Sequence, residues 1–148
     1  MQLALGADFR IATPDSQLAI MEARWGLVPD MGITATLRGL IGLDMAKELT
    51  MTARIVSGTE AKEIGLISHV ANEPMVKALA LANEICARSP DAVLAAKRVL
   101  NAMVSQPESD TLALEKRWQR RLLLGKNFKI AGKKAKTPDL AFNDREFD

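Results

Sequence analysis

The passage Gln2-Leu-Ala-Leu-Gly-Ala-Asp8-Phe-Arg-Ile-Ala12, and after a short turn Leu18-Ala-Ile-Met-Glu22-Ala-Arg-Trp-Gly26-Leu-Val-Pro29-Asp-Met-Gly32-Ile-Thr34, changes its local grammar several times within 33 residues. Gln2–Ala7 reads as helix. Asp8–Thr13 and Gln17–Met21 read as short strands separated by Pro14-Asp15-Ser16, whose composition predicts a turn. Gly26 to Gly32 is a loop built around Pro29. A helix, two short strands and a long loop in so few residues predict an α/β arrangement.

Helical material follows from Thr34 to Ile41 and from Leu43 to Thr52, with Arg54–Val56 extended. Ser57-Gly-Thr-Glu60 fits a capping box, in which the Ser hydroxyl and the Glu carboxylate each satisfy an orphan backbone N–H. The helix it opens ends at Gly65, and Leu66–Val70 reads as a last strand. Everything beyond is helical. Met75, Leu79, Ala82 and Cys86 recur at helical steps, and Ser89-Pro90-Asp91 is a helix start with proline in the first turn. Val93, Ala96, Leu100 and Met103 form an expected buried stripe, and Leu114, Trp118 and Leu122 another. The organisation expected is an α/β part over residues 1–71 and a helical region with a basic tail over residues 72–148. Its apolar faces outnumber what so small a β layer covers, so burial against other subunits is expected rather than a monomer.

A chain of 148 residues suits one modest domain, and 48% hydrophobic content excludes disorder. No apolar run approaches the roughly 18 residues of a membrane span, and the start has neither a basic n-region nor a cleavage-like site, so no signal peptide is expected. The single cysteine, Cys86, reads as a small buried hydrophobe in a reducing compartment, with the cytoplasm as the expected location. The net charge of +2 conceals an asymmetry: nine Lys/Arg and no acidic residue lie between Lys116 and Pro138. Such a run is a solvated face or tail, or a surface meeting a polyanion such as nucleic acid, lipid or cofactor phosphates.

Glu22 follows an apolar run and is expected at a strand end facing a partly dry pocket. A carboxyl held in such a pocket is harder to ionise, which suits a general acid/base; the alternative is a surface glutamate paired with Arg24 or Arg38. His69 has no Cys or Asp at ligand spacing, so no metal site is expected. There is no glycine-rich phosphate motif and no tyrosine.

The spacing as a whole resembles the crotonase family, the enoyl-CoA hydratases and isomerases. Asp8 precedes Glu22 by fourteen residues, Glu22 precedes Gly26 by four and Pro29 by seven, and Leu43–Ala53 and Arg54–Val70 continue the pattern. The resemblance covers residues 1–105 and enters the family pattern partway through. It implies a partial ClpP/crotonase-type ββα core followed by a helical C-terminal oligomerisation region. The implied chemistry is proton transfer beside an acyl-CoA thioester through an enolate stabilised by two backbone N–H groups. One of those donors belongs to an N-terminal half and the other to the Gly just before the first helix, so a chain of these residues alone is expected to be truncated and a poor catalyst.

The resemblance assigns Glu22 the acid/base role. Gln2 stands where hydratases carry a first glutamate; it can orient water but cannot take a proton, so single-carboxylate isomerisation fits better than two-carboxylate hydration. Met21, Trp25, Asp30 and Met31 are the implied substrate-binding residues, with Trp25 and Met31 either lining the acyl pocket or packing in the core. Asp30 and Ile33 replace glycines, and Asp30 offers a backbone N–H, a second acid, or a cap for the next helix. Coenzyme A enters only as part of the thioester substrate, and no bound cofactor or metal is expected. The expected assembly is a trimer or dimer of trimers without membrane attachment. Two other readings stand below this one: a non-catalytic oligomerisation module, and a basic adaptor binding nucleic acid through residues 116–136.

Overall fold

Pro14-Asp15-Ser16 turns the chain as its composition predicts. The Ser16 N–H donates to the Thr13 carbonyl at 3.2 Å, and the Thr13 N–H donates to the Ser16 hydroxyl at 3.1 Å. The computed structural model describes residues 1–147 and resolves into two compact units, Met1–Ala80 and Leu81–Asp148. The division falls inside a helix, nine residues beyond the expected boundary at 71.

In the first unit, helix α1 (Gln2–Leu5) leads to strand β1 (Ile11–Ala12), and strand β2 (Gln17–Leu18) follows the turn. A 3₁₀ helix (Glu22–Trp25), helix α2 (Ile33–Thr36) and helix α3 (Leu43–Thr52) come next. Strand β3 (Val56–Ser57), helix α4 (Gly58–Glu63) and strand β4 (His69–Val70) complete it. β1 pairs parallel with β4, setting Ile11 opposite His69 and Ala12 opposite Val70. β2 pairs antiparallel with β3, setting Gln17 opposite Ser57 and Leu18 opposite Val56. Leu5, Ile20, Ile33, Leu37, Leu49, Val56, Ala61, Leu66 and Ile67 form its core.

Arg10 ties the unit's two ends. Its Nε donates to the Leu66 carbonyl at 2.8 Å, its Nη1 to the Ala7 carbonyl at 2.6 Å, and Ser68 N–H donates to the Arg10 carbonyl at 2.8 Å. Burial lowers the Arg10 pKa from its ordinary value, and the nearby Asp8 charge opposes that shift.

Several local expectations need correction. The strands at Gln17–Met21 and Leu66–Val70 contract to two residues each, and the helix expected over Thr34–Ile41 is a single turn. Half of the capping box forms: Ser57 Oγ accepts from Glu60 N–H at 3.1 Å, but the Glu60 carboxylate turns to Arg54 instead of the Ser57 backbone. Arg54, bridging Glu48 at 2.8 Å and Glu60 at 2.5 Å, outcompetes the neutral N–H because a charged donor binds a carboxylate more strongly. Gly65 adopts the left-handed conformation expected of it, with φ 82°.

The second unit is helical: the end of α5 (Pro74–Cys86), α6 (Pro90–Ala102), α7 (Glu108–Leu124) and α8 (Lys126–Lys134). Ser89 caps α6 as expected, its Oγ accepting from Ala92 N–H. Trp118 is buried between half-buried Leu114 and Leu122, so that stripe stands. The other two do not. Met75, Leu79, Ala82 and Cys86 are exposed, and α6 buries Asp91, Ala95 and Ala102 while Ala96, Leu100 and Met103 face outward. The most fully buried positions of α6 are thus Asp91 and two alanines, with Val93 half-buried and Leu100 and Met103 exposed. Among the described residues no helix is long and apolar enough to cross a membrane.

A buried polar clamp holds the segment after α8. Asp91 Oδ2 accepts from Asn127 Nδ2 at 2.7 Å, and Asp91 Oδ1 accepts from Glu146 N–H at 2.7 Å and Phe147 N–H at 3.2 Å. Asn127 Oδ1 accepts from Asn143 N–H at 2.9 Å. The Glu146 carboxylate accepts from Lys126 N–H, where the positive end of α8 favours an anion. Both Asp91 and Asn127 are 1% exposed, and their pairing is what makes that burial tolerable.

Candidate active site

Glu22 is not on a strand. β2 stops at Leu18, and Glu22 is the first residue of the 3₁₀ helix, which closes at Gly26. The Leu27 N–H donates to the Glu22 carbonyl at 3.1 Å and Arg24 N–H to the Met21 carbonyl at 3.0 Å, so the turn holds the Glu22 backbone rigidly. The side chain points to α1. Gln2 Nε2 donates to Glu22 Oε1 at 2.5 Å, and Met31 N–H donates to Gln2 Oε1 at 3.0 Å. Because a backbone N–H can only donate, the Met31 contact fixes the orientation of the Gln2 amide and sends its NH₂ to the carboxylate.

The second carboxylate oxygen, Glu22 Oε2, is shielded from water and has no hydrogen-bond partner among the described residues. A buried polar atom without a partner costs stability. The alternative pairing of Glu22 with Arg24 or Arg38 is not formed among the described residues. Gln2, 6% exposed, has both ends of its amide engaged by protein.

The residues proposed to contact substrate fall on one stretch. Met21, Trp25 and Met31 are exposed, Trp25 to 75%, so neither Trp25 nor Met31 packs into the core of this unit. Leu27 and Val28 extend this apolar surface. Asp30 is exposed and does not cap α2: Gly32 occupies the cap position, and no side chain bonds there. The loop N–H that is engaged belongs to Met31, one residue beyond the expected Asp30. His69 lies in β4, and among the described residues no group of three His, Cys, Asp or Glu side chains is placed to hold a metal.

A family model described as enoyl-CoA hydratase/isomerase matches residues 1–139. The chain belongs to the enoyl-CoA hydratase/isomerase family. Mitochondrial methylglutaconyl-CoA hydratase of Homo sapiens is 36% identical over 121 residues, covering 78% of this chain and 36% of that protein. The crystal structure of an enoyl-CoA hydratase from Polaromonas sp. JS666 superposes with a TM-score of 0.87 at 26% identity, over 96% of this chain and 56% of that one. A protein of the enoyl-CoA hydratase type from Thermobifida fusca YX, solved in complex with CoA, has a TM-score of 0.77 at 32% identity, over 82% of this chain and 48% of that one. This member of the family therefore spans well under two thirds of each relative's length.

Two features escaped the sequence reading. Asp91 was legible only as part of a helix start, because its partners Asn127, Glu146 and Phe147 lie 36 to 56 residues away. The Gln2–Met31 contact had no signal beyond the position of Gln2 in the family pattern.

Proposed function

We infer that this chain carries the acid/base part of an enoyl-CoA hydratase/isomerase-like site, acting on an acyl-CoA thioester. Glu22 moves a proton at a carbon next to or conjugated with the thioester, through an enolate. Gln2 holds the carboxylate in one orientation and cannot itself take the proton, which favours single-carboxylate isomerisation over hydration. The apolar side chains of Met21, Trp25 and Met31 face the acyl chain. The observation that carries this reading is Glu22 Oε2, shielded from water and unpartnered while Oε1 is fixed by Gln2. A carboxyl so held has one oxygen for orientation and one for chemistry.

The enolate-stabilising N–H groups implied by the family resemblance lie in the part of the relatives that this chain does not span. In this reading turnover needs that part. The exposed Met75, Leu79, Leu100, Met103 and Leu124 support assembly into a homo-oligomer through the helical region, as a trimer or dimer of trimers around a ClpP/crotonase-type core.

The test is 3-enoyl-CoA isomerisation and crotonyl-CoA hydration by the purified chain, alone and with the N-terminal half of a relative added. Glu22→Gln serves as the control. Turnover that appears on addition and vanishes in the variant is expected. Turnover that survives Glu22→Gln would overturn the assignment.

A further inference from the structure

Arg98 of α6 and Arg117 and Arg121 of α7 converge on one cleft of about 650 Å³, with Trp118 as its apolar wall and Asn101, Ser105 and Gln106 on its rim. No ion pair joins any of these three arginines to a carboxylate among the described residues. Arg117 and Arg121 stand four residues apart on one helix face, where like charges repel. Arg98 adds a third positive charge from the facing helix. Left to themselves, three guanidinium groups would splay into water.

Arg98 and Arg121 are held instead. Arg98 lies 5.5 Å and Arg121 5.4 Å from the centroid of the Trp118 ring, and Arg121 lies 4.6 Å from that of Phe147. Phe147 is itself fixed through its N–H to the buried Asp91. Stacking uses the flat face of a guanidinium and leaves its N–H edge free to donate, which is the arrangement suited to a phosphate. The C-terminal end of a helix repels an anion, and Ala102 ends α6 at this cleft. That half charge is outweighed by three full ones.

We propose that the Arg98–Arg117–Arg121 cleft binds a small, multiply charged phosphate anion such as a pyrophosphate group. A monocarboxylate would neutralise only one of the three charges. The site shares no residue with Gln2 or Glu22, so it stands or falls separately from the acyl-CoA reading.

Trp118 reports on the cleft directly. The chain has two tryptophans, and Trp25→Phe leaves Trp118 as the only emitter. In that background, inorganic pyrophosphate is titrated at low salt while Trp118 fluorescence is followed. ADP, vesicles containing phosphatidic acid and a single-stranded oligonucleotide serve as parallel arms. The expected result is a saturable, one-to-one change with pyrophosphate that weakens as salt rises. Arg117→Gln, an exposed substitution, and Arg98→Gln should each weaken it by about tenfold or more. A response to ADP identifies a soluble source for the phosphate, and a response to vesicles a headgroup. No response to pyrophosphate, or equal binding by both variants, overturns the proposal. Oligonucleotide binding that is stronger and indifferent to Arg98 and Arg117 also overturns it, in favour of a general basic surface.

Discussion

Gln2 Nε2 donates to Glu22 Oε1 across twenty residues of chain, while Gln2 Oε1 accepts from the Met31 backbone. One amide thereby locks the first helix, the candidate acid/base and the loop after Pro29 to one another. Its orientation is dictated by the loop, so the direction in which Glu22 is held depends on a residue with no proton to give.

Glu22→Gln should separate activity from stability. The substitution keeps an oxygen for Gln2 and removes a charge whose second oxygen has no partner. Thermal unfolding is expected to change by about 1 kcal/mol or less, whereas Glu22-dependent turnover falls by about 10²–10⁴-fold. Calorimetry alongside the isomerisation assay reads both.

Gln2→Ala should do the reverse in part. It strands the Met31 N–H and leaves Glu22 with no partner for either oxygen, so a loss of about 1–3 kcal/mol is expected in denaturant unfolding. Gln2→Glu restores the acceptor for Met31 but sets a carboxylate against a carboxylate. That variant should be less stable than the parent at neutral pH and recover on acidification, when one carboxyl becomes a donor. Stability measured from pH 8 to pH 4 checks the sign.

Gly58→Ala should be among the most damaging single changes in the first unit. A Cβ at position 58 would lie 1.9 Å from the Thr13 carbonyl oxygen and 3.0 Å from its carbon, both backbone atoms. The turn that sets β2 against β3 would have to move, and a loss above about 2 kcal/mol is expected by urea titration.

Asp91→Asn should loosen the second unit's C-terminal segment. The new amide would face Asn127 Nδ2, donor to donor, and turning Asn127 over would cost its acceptance from Asn143 N–H. Destabilisation of about 1–3 kcal/mol is expected, with faster proteolysis between residues 138 and 147.

Asp15 carries a modest pH dependence. The Thr13 hydroxyl, and then a backbone hydrogen bond, lower its pKa from the ordinary carboxylate value. A lowered carboxyl adds stability above its unfolded pKa and loses it as pH falls through the folded value. Thr13→Val should therefore move the Asp15 titration, followed by NMR, upward toward the usual range.

Where the sequence reading failed, it failed for one reason. Periodicity says that a helix has an apolar face; it does not say what covers it. The spacing of Val93, Ala96, Leu100 and Met103 is helical, yet α6 turns Ala95 and Ala102 inward and leaves Leu100 and Met103 exposed. Cys86 reads as a core residue and is exposed for the same reason. The capping box was half right because Arg54, six residues before Glu60, offered a charged partner that no motif encodes.

The sequence by itself determined the α/β-then-helical order, the turn at Pro14-Asp15-Ser16, the helix at Leu43–Thr52, the Ser57 and Ser89 caps and the family. All of these rest on local sterics, on hydrogen bonds spanning a few residues, or on fixed spacing. Only the tertiary structure decided that Gln2 is clamped between Met31 and Glu22, that Asp91 is buried against Asn127, and that Arg98 and Arg121 stack on Trp118 in a cleft that Arg117 also lines. Those are contacts between distant segments, and their energies depend on a dry, fixed geometry that exists only once the chain has folded.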